Sequence, residues 1–253
     1  MHRPIAVPPS ATIVVLTGAG ISVESGLPSF RGADGLWQGR KLEDVATPEA
    51  FARQPGAVQH FYDERRRQLL APEIEPNPAH MALGLLEERW PGEVLVVTQN
   101  IDDLHERAGT RQLVHMHGEL LKARCTACAA LHACRHDLQP LHRCARCGGA
   151  NTLRPHVVWF GEMPLELDRI DQALERCELF AAIGTSGQVY PAAGFVDQVR
   201  RHGPAHTIEL NLEPSAVNSL FAEHRRGPAS ETVPRWVAEV LAQATPDAMP
   251  NLR

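Results

Sequence analysis

Thr17-Gly18-Ala19-Gly20-Ile21-Ser22-Val23-Glu24-Ser25-Gly26-Leu27-Pro28-Ser29-Phe30-Arg31 follows directly on the β-branched run Thr12-Ile13-Val14-Val15-Leu16. A buried strand feeding a Gly-x-Gly turn opens a dinucleotide-binding unit. Glycine lets the backbone approach a pyrophosphate, and a following helix start offers amide donors to its charge. The hydride-transfer fingerprint also needs a third glycine three positions after Gly20, where helix and strand pack closely, and Val23 stands there. The turn points to a nucleotide held otherwise than in a dehydrogenase.

Outward from that turn, strand-like runs recur at 12–16, 94–97, 113–116, 157–160, 179–183 and 207–210. Helix-like segments at 57–70, 79–90, 168–177 and 192–202 lie between them, with Asn77-Pro78 leading into the second. The alternation predicts an α/β fold with a Rossmann-like, doubly wound parallel sheet. A chain of 253 residues suits one large domain carrying smaller insertions. Residues 1–26, 72–118 and 155–253 are expected to form the nucleotide-binding domain. Residues 27–71 and 119–154 interrupt it as a loop, a helical module and a small second domain.

The formal charge of −5 gives no pull toward nucleic acid, so no nucleic-acid partner is expected. The first ten residues lack a secretory apolar core, and the longest apolar runs are strand-sized, so a soluble, cytoplasmic protein without membrane contact is expected. In a reducing compartment, six cysteines favour metal over disulfides. Cys125-x-x-Cys128 and Cys144-x-x-Cys147 supply four thiolates for one closed, structural tetrahedral Zn2+ site that holds together an insertion too small for a core of its own. Two disulfides or a redox pair are the alternatives. Cys134, flanked by His132 and His136, lacks a paired spacing. Lys122, Arg124, Arg135, Arg143, Arg146 and Arg154 in the same insertion read as a solvated basic face, with a dock for acidic partners as the alternative.

Polar motifs follow the strand-like runs: Gly18-Ala19-Gly20, Thr98-Gln99-Asn100-Ile101-Asp102, His117-Gly118, Gly161-Glu162, Gly184-Thr185-Ser186 and Asn211-Leu212-Glu213. Ligands of an open parallel sheet bind outside the carboxyl ends of its strands, so these motifs are expected to converge in space. Among 13 histidines, His117 is the candidate base, because a neutral imidazole accepts a proton near neutral pH. Asn100 and Asp102 suit a ribose hydroxyl and a carboxamide NH2, although an Asn-Ile-Asp turn is also a helix cap.

Together these motifs, with the two cysteine pairs and Val157-Val158-Trp159-Phe160-Gly161-Glu162, resemble the sirtuins, NAD-consuming protein deacylases, over nearly the whole chain. The likeness is greatest to the prokaryotic class III type. The resemblance implies a Rossmann-like large domain, a zinc-bearing small domain and an active site in the cleft between them. It assigns NAD, a consumed cosubstrate, to Gly18, Ala19, Gly20, Ser22, Pro28, Phe30, Arg31 and Trp37, with the Phe30-Arg31 loop as a flexible cover. It puts Gln99, Asn100, Ile101 and Asp102 at the nicotinamide end, Gly184, Thr185 and Ser186 at the adenosine, Asn211, Leu212 and Glu213 at the adenine ribose, and Ala229 near the adenine. Catalysis falls to His117, Asn100 and Asp102.

The implied reaction begins when the acyl-lysine amide oxygen attacks the nicotinamide ribose at C1′ and displaces nicotinamide. His117 then helps to deprotonate a ribose hydroxyl, and the acyl group moves to the sugar. Lysine, nicotinamide and O-acyl-ADP-ribose leave. Tyr62 and Arg65 stand at i and i+3 on the helix at 57–70, and without the resemblance Arg65-Arg66-Arg67 is a solvated charge run. With it, Tyr-x-x-Arg grips the distal carboxylate of succinyl- or malonyl-lysine, and Ala46 widens that pocket. Val158, Phe160 and Gly161 are expected to receive a substrate peptide as an added strand, so acylated-lysine proteins or peptides are the partners. A dehydrogenase and a zinc-ribbon nucleic-acid module fit less well. An NAD-dependent mono-ADP-ribosyltransferase is the nearest rival.

Overall fold

The computed structural model describes residues 7–29, 39–138 and 142–244. In chain order the strands are Ile13–Thr17 (β1), Val94–Thr98 (β2), Leu113–His115 (β3), Gly118–Cys125 (β4), Leu131–Ala133 (β5), Leu153–Val157 (β6), Leu179–Ile183 (β7), His206–Asn211 (β8) and Glu223–Arg226 (β9). The α-helices are Leu42–Val45 (α1), Pro48–Arg53 (α2), Pro55–Leu69 (α3), Pro78–Arg89 (α4), Leu104–Arg107 (α5), Leu167–Glu175 (α6), Phe195–His202 (α7) and Ala229–Ala244 (α8).

Six strands form one parallel sheet in the order β3-β2-β1-β7-β8-β9, the Rossmann arrangement. Strands β1, β2 and β7 are buried along their whole lengths, as runs rich in aliphatic residues must be when helices cover both faces of a sheet. On one face Ile13, Val15, Val96 and Ile183 pack with Leu83 and Leu86 of α4 and Trp236 and Val240 of α8. On the other, Val14, Leu16, Val97 and Phe180 pack with Ile170 of α6 and Val196 of α7. A second sheet, β5-β4-β6, is antiparallel, and a third core joins Tyr62 and Leu69 of α3 to Leu120, Val157 and Trp159.

The expected strand at 157–160 is corrected. Strand β6 ends at Val157 and belongs to the small sheet, while β9 completes the large one. Beyond β6 the chain leaves the sheet, with the Val158 N–H donating to the His117 carbonyl and the Phe160 N–H to that of Ala46. The solvated reading of the charge runs is corrected too. Arg66 is 1 % exposed and paired with Asp63, and Arg154 is buried against Glu162.

Strand order reverses between β1 and β7, and there the turns that follow the two strands touch. The Gly18 N–H donates to the Ile183 carbonyl and the Gly20 N–H to that of Gly184, at 3.0 and 2.9 Å. A Cβ on Gly20 would lie 2.7 Å from the Gly184 Cα. Gly184 itself has φ +63°, and a Cβ on it would collide with the backbone of Gly20 and Ile21. The glycines are therefore demanded by the meeting of two turns, and the Gly20 amide is already engaged within the protein. Gly184→Ala combines left-handed strain with that collision, so it is expected to destabilise the fold by about 2 kcal/mol or more. Urea unfolding checks this through a lowered midpoint at unchanged slope.

Candidate active site

A cleft of about 840 Å³ opens at the carboxyl ends of the parallel strands, between the two sheets. Gly18, Ala19, Gly20, Ser22, Pro28, Gln99, Asn100, Ile101, Asp102, His117, Gly184, Thr185, Ser186, Asn211 and Glu213 line it. Ala46, Tyr62, Arg65, Val158, Phe160 and Gly161 line the same cleft. Leu212 turns outward at 65 % exposure, and Ala229 starts α8 against the core; neither is in the lining. Phe30, Arg31 and Trp37 lie outside the described residues.

His117 follows β3, and Gly118, at φ +83°, reverses the chain into β4, where a Cβ would strike the His156 carbonyl. The His117 ring is oriented by a 3.1 Å bond from Nδ1 to the Gln99 carbonyl. A carbonyl only accepts, so Nδ1 carries the proton and Nε2 keeps its lone pair. Burial lowers the pKa of this imidazole from its ordinary value and so favours the neutral ring, an effect that the Gln99 bond opposes. His115 bonds the Asn100 carbonyl and Glu106 and is not part of the lining.

Ser22 ties Asn100 to Asp102. Its hydroxyl accepts from Asn100 Nδ2 at 3.1 Å and donates to Asp102 Oδ2 at 3.1 Å. The second amide proton of Asn100 goes to the Gly18 carbonyl, which leaves Oδ1 as the acceptor that side chain offers a ligand. Asp102 Oδ1 accepts the Leu104 N–H, so the cap reading of the Asn-Ile-Asp turn also holds. Burial, more than any other influence, pushes the Asp102 carboxyl up from 3.8 to about 6.

Behind this group stand His80, which the sequence reading passed over, and Thr17, Thr98 and His105, which it met within the motifs but gave no role. His80 Nδ1 accepts the Asn77 N–H, so Nε2 is the donor facing Ser22 at 3.4 Å, and burial brings its pKa down to about 4. His105 Nε2 meets Thr17 Oγ1 at 3.0 Å, and Thr17 bonds Thr98, which in turn accepts the Asn100 N–H. The one signal in the chain was His80 three residues after the Asn77 cap, and helix capping accounts for that spacing. Trp159, buried and in the lining, stands in the 157–162 motif but had no role of its own assigned, though a buried indole N–H needs an acceptor.

The four sulfurs of Cys125, Cys128, Cys144 and Cys147 lie within 4.8 Å of one another. All six cysteines are free, and Cys125 to Cys147 at 3.8 Å and Cys128 to Cys144 at 3.6 Å are far beyond an S–S bond. Zinc bonds of about 2.3 Å set tetrahedral sulfurs about 3.8 Å apart, so the donor set fits one structural zinc. His132 Nε2 approaches Cys144 Sγ at 3.3 Å as an outer partner. Cys134 stands apart, packed with Ala123 and Leu138.

A doubly wound sheet, a cleft at its switch point and a four-cysteine module define an α/β nucleotide-binding protein with a structural metal. The Sir2 family model matches residues 18–191, and the chain belongs to that family. It is 58 % identical over 229 residues to a protein of Salmonella typhimurium named NAD-dependent protein deacylase, covering 90 % of this chain and 84 % of that one. A Vibrio cholerae protein of the same name is 57 % identical over 234 residues, covering 92 % and 95 %. Among solved structures, an ADP-ribose complex of a Sir2 homologue superposes with a TM-score of 0.84 at 38 % identity, covering 94 % of each chain. A Sir2 homologue bound to NAD gives 0.82 at 39 % identity, covering 92 % and 90 %.

Metal analysis of the purified protein is expected to return one zinc per chain. Cys144→Ser, which removes one of four thiolates, is expected to lose most of that zinc and to lower the thermal midpoint.

Proposed function

We propose that this chain is an NAD-dependent protein-lysine deacylase that works in the cytoplasm on acylated proteins and removes succinyl and malonyl groups as well as acetyl. The observation that carries the reading is the shared lining of one cleft by a neutral, oriented His117 and by the Tyr62 and Arg65 pair. Arg65 Nη1 donates to the Phe61 carbonyl and its guanidinium lies over the Phe61 ring, but its buried Nε has no hydrogen-bond partner among the described residues. A buried guanidinium donor left over in a cleft wall suits a carboxylate ligand. Burial lowers the Arg65 pKa, opposed by Glu64, and an arginine still remains charged at working pH.

When bound, NAD supplies a ribose carbon whose bond to a cationic nicotinamide ring breaks readily. Asn100 Oδ1 is the acceptor for a ribose hydroxyl. Asp102, fixed by Ser22 and the Leu104 amide, receives the carboxamide NH2. His117 Nε2 takes the hydroxyl proton. Gly184, Thr185, Ser186 and Asn211 hold the adenosine side, where Asn211 Nδ2 is already tied to the Thr185 carbonyl at 2.7 Å. The segment 158–161 and the turn at 187–190 border the path of the acyl-lysine peptide. The named relatives are deacylases, so mono-ADP-ribosyl transfer has no observation in its favour.

Incubation with NAD and matched acetyl- and succinyl-lysine peptides, with products identified by mass, is expected to yield nicotinamide and O-acyl-ADP-ribose from both. Absence of that product with every acyl peptide overturns the reading. Arg65→Met is expected to cost succinyl turnover about tenfold more than acetyl turnover, the worth of one charge-assisted hydrogen bond. Equal losses would sink the role assigned to Arg65.

The acid side of the pH profile follows from the two titrating groups. His117 must be neutral to take a proton, and its lowered pKa keeps it so below its ordinary 6.5. Asp102 is ionised only above about 6. The kcat/KM for NAD is therefore expected to fall as pH drops through about 6, where Asp102 gains its proton. Asp102→Asn is expected to be slow throughout and to lose this limb.

A further inference from the structure

Trp159 lies between Val158 and Phe160 on the crossing segment and is 2 % exposed. Its indole Nε1–H donates to the Tyr62 hydroxyl at 2.9 Å. The ring is packed against an aromatic side chain and a guanidinium. Phe51 lies 5.2 Å away, centroid to centroid, and the Arg154 guanidinium stacks 3.3 Å from the indole centroid. Arg154 is held in turn by Glu162 at 2.6 and 3.0 Å and by the Val157 carbonyl at 2.8 Å. Glu162 closes the loop by accepting the Trp159 backbone N–H at 2.9 Å. The indole is thus anchored through its backbone, its ring and its nitrogen.

Tyr62 is fully buried on α3, and desolvation raises its phenol well above the ordinary value, so it works as a neutral hydroxyl. A phenolic O–H rotates to suit its partners, and a donor fixed on one side of the oxygen determines where the proton points. We propose that Trp159 is a specificity-determining positioning residue, whose indole N–H orients the Tyr62 hydroxyl so that an acidic acyl chain is told apart from acetyl. The proposal rests on the reading of Tyr62 and Arg65 as the acyl-carboxylate pair. Trp159 acts through Tyr62 and carries no charge to the substrate. Trp159→Phe would keep an aromatic ring at the site and lose the donor together with part of the indole's buried volume, which is why the double variant and the folding readouts are needed.

The test compares wild type, Trp159→Phe, Tyr62→Phe and the double variant with matched succinyl- and acetyl-lysine peptides at saturating NAD. The readout is the succinyl-to-acetyl ratio of kcat/KM. Trp159→Phe is expected to lower it roughly threefold to tenfold, mainly through KM for the succinyl peptide, the range of one net hydrogen bond. In the Tyr62→Phe background the same change is expected to move the ratio less than about twofold, because the oriented group is already gone. An unmoved ratio in Trp159→Phe, or fully multiplicative effects in the double variant, overturns the assignment while wild-type desuccinylation stands. A wild type active on acetyl but inert on succinyl peptides overturns the acidic-pocket reading and this assignment with it. Zinc content and unfolding midpoint report on folding. Should Trp159→Phe not fold, Tyr62→Phe alone carries the test: a selective succinyl loss supports the proposal and an equal loss on both peptides overturns it.

Discussion

The close approach of two glycine turns at the reversal of strand order governs this molecule. Because Gly18 and Gly20 press on Gly184 without side chains between them, β1 and β7 run side by side to their last residues. The chain after β1 then diverges one way and the chain after β7 the other, and the cleft is the space they leave. Ser22 enters it from the first turn, and Thr185 and Ser186 from the second. Any side chain at that contact would part the strand ends and displace the residues that rely on them. In a packed sheet such strain spreads, since interiors have little free volume to absorb it.

The parallel sheet was legible in the sequence because buried strands read as continuous apolar runs and polar motifs follow them. The same logic misled at 157–160, where Val-Val-Trp-Phe has every local mark of a strand, but its partners lie in a loop and a short helix end. Strand β9, Glu-His-Arg-Arg, was illegible for the opposite reason. It is an edge strand whose side chains answer to charges on β8, with Arg226 bonded to the buried Glu209 and Glu223 to His206. Helix α8 was also missed. It carries Pro234 within it, a residue that argues against a helix until tertiary packing outweighs propensity.

The candidate site was read from strand-end positions, and apart from Leu212 those positions line the cleft. What escaped was the layer behind. Burial of Arg66, Arg154, His80 and His105 depends on partners far away in sequence, and a basic residue in a charged run gives no local sign of going inward. Each found its place through a specific acceptor: Asp63 and the Leu120 carbonyl for Arg66, Glu162 for Arg154, Ser22 for His80 and Thr17 for His105. Buried polar groups cost free energy unless they are bonded, so each of these partnerships is a requirement of folding before it is anything else.

Helix α3 serves two neighbours. Gln59 bonds the Leu153 carbonyl, Asp63 accepts the Leu138 N–H, and Arg66 reaches the Leu120 and His136 carbonyls, so one face of the helix is fastened to the strands and loops around the zinc cysteines. Tyr62 and Arg65, a fraction of a turn away, line the cleft. The cysteine module and this wall of the cleft therefore share one helix, and the helix ties the two together. Drift in the sequence of either is constrained by the other, and a change in the shape of this cleft wall has to be compatible with how the cysteine module is braced.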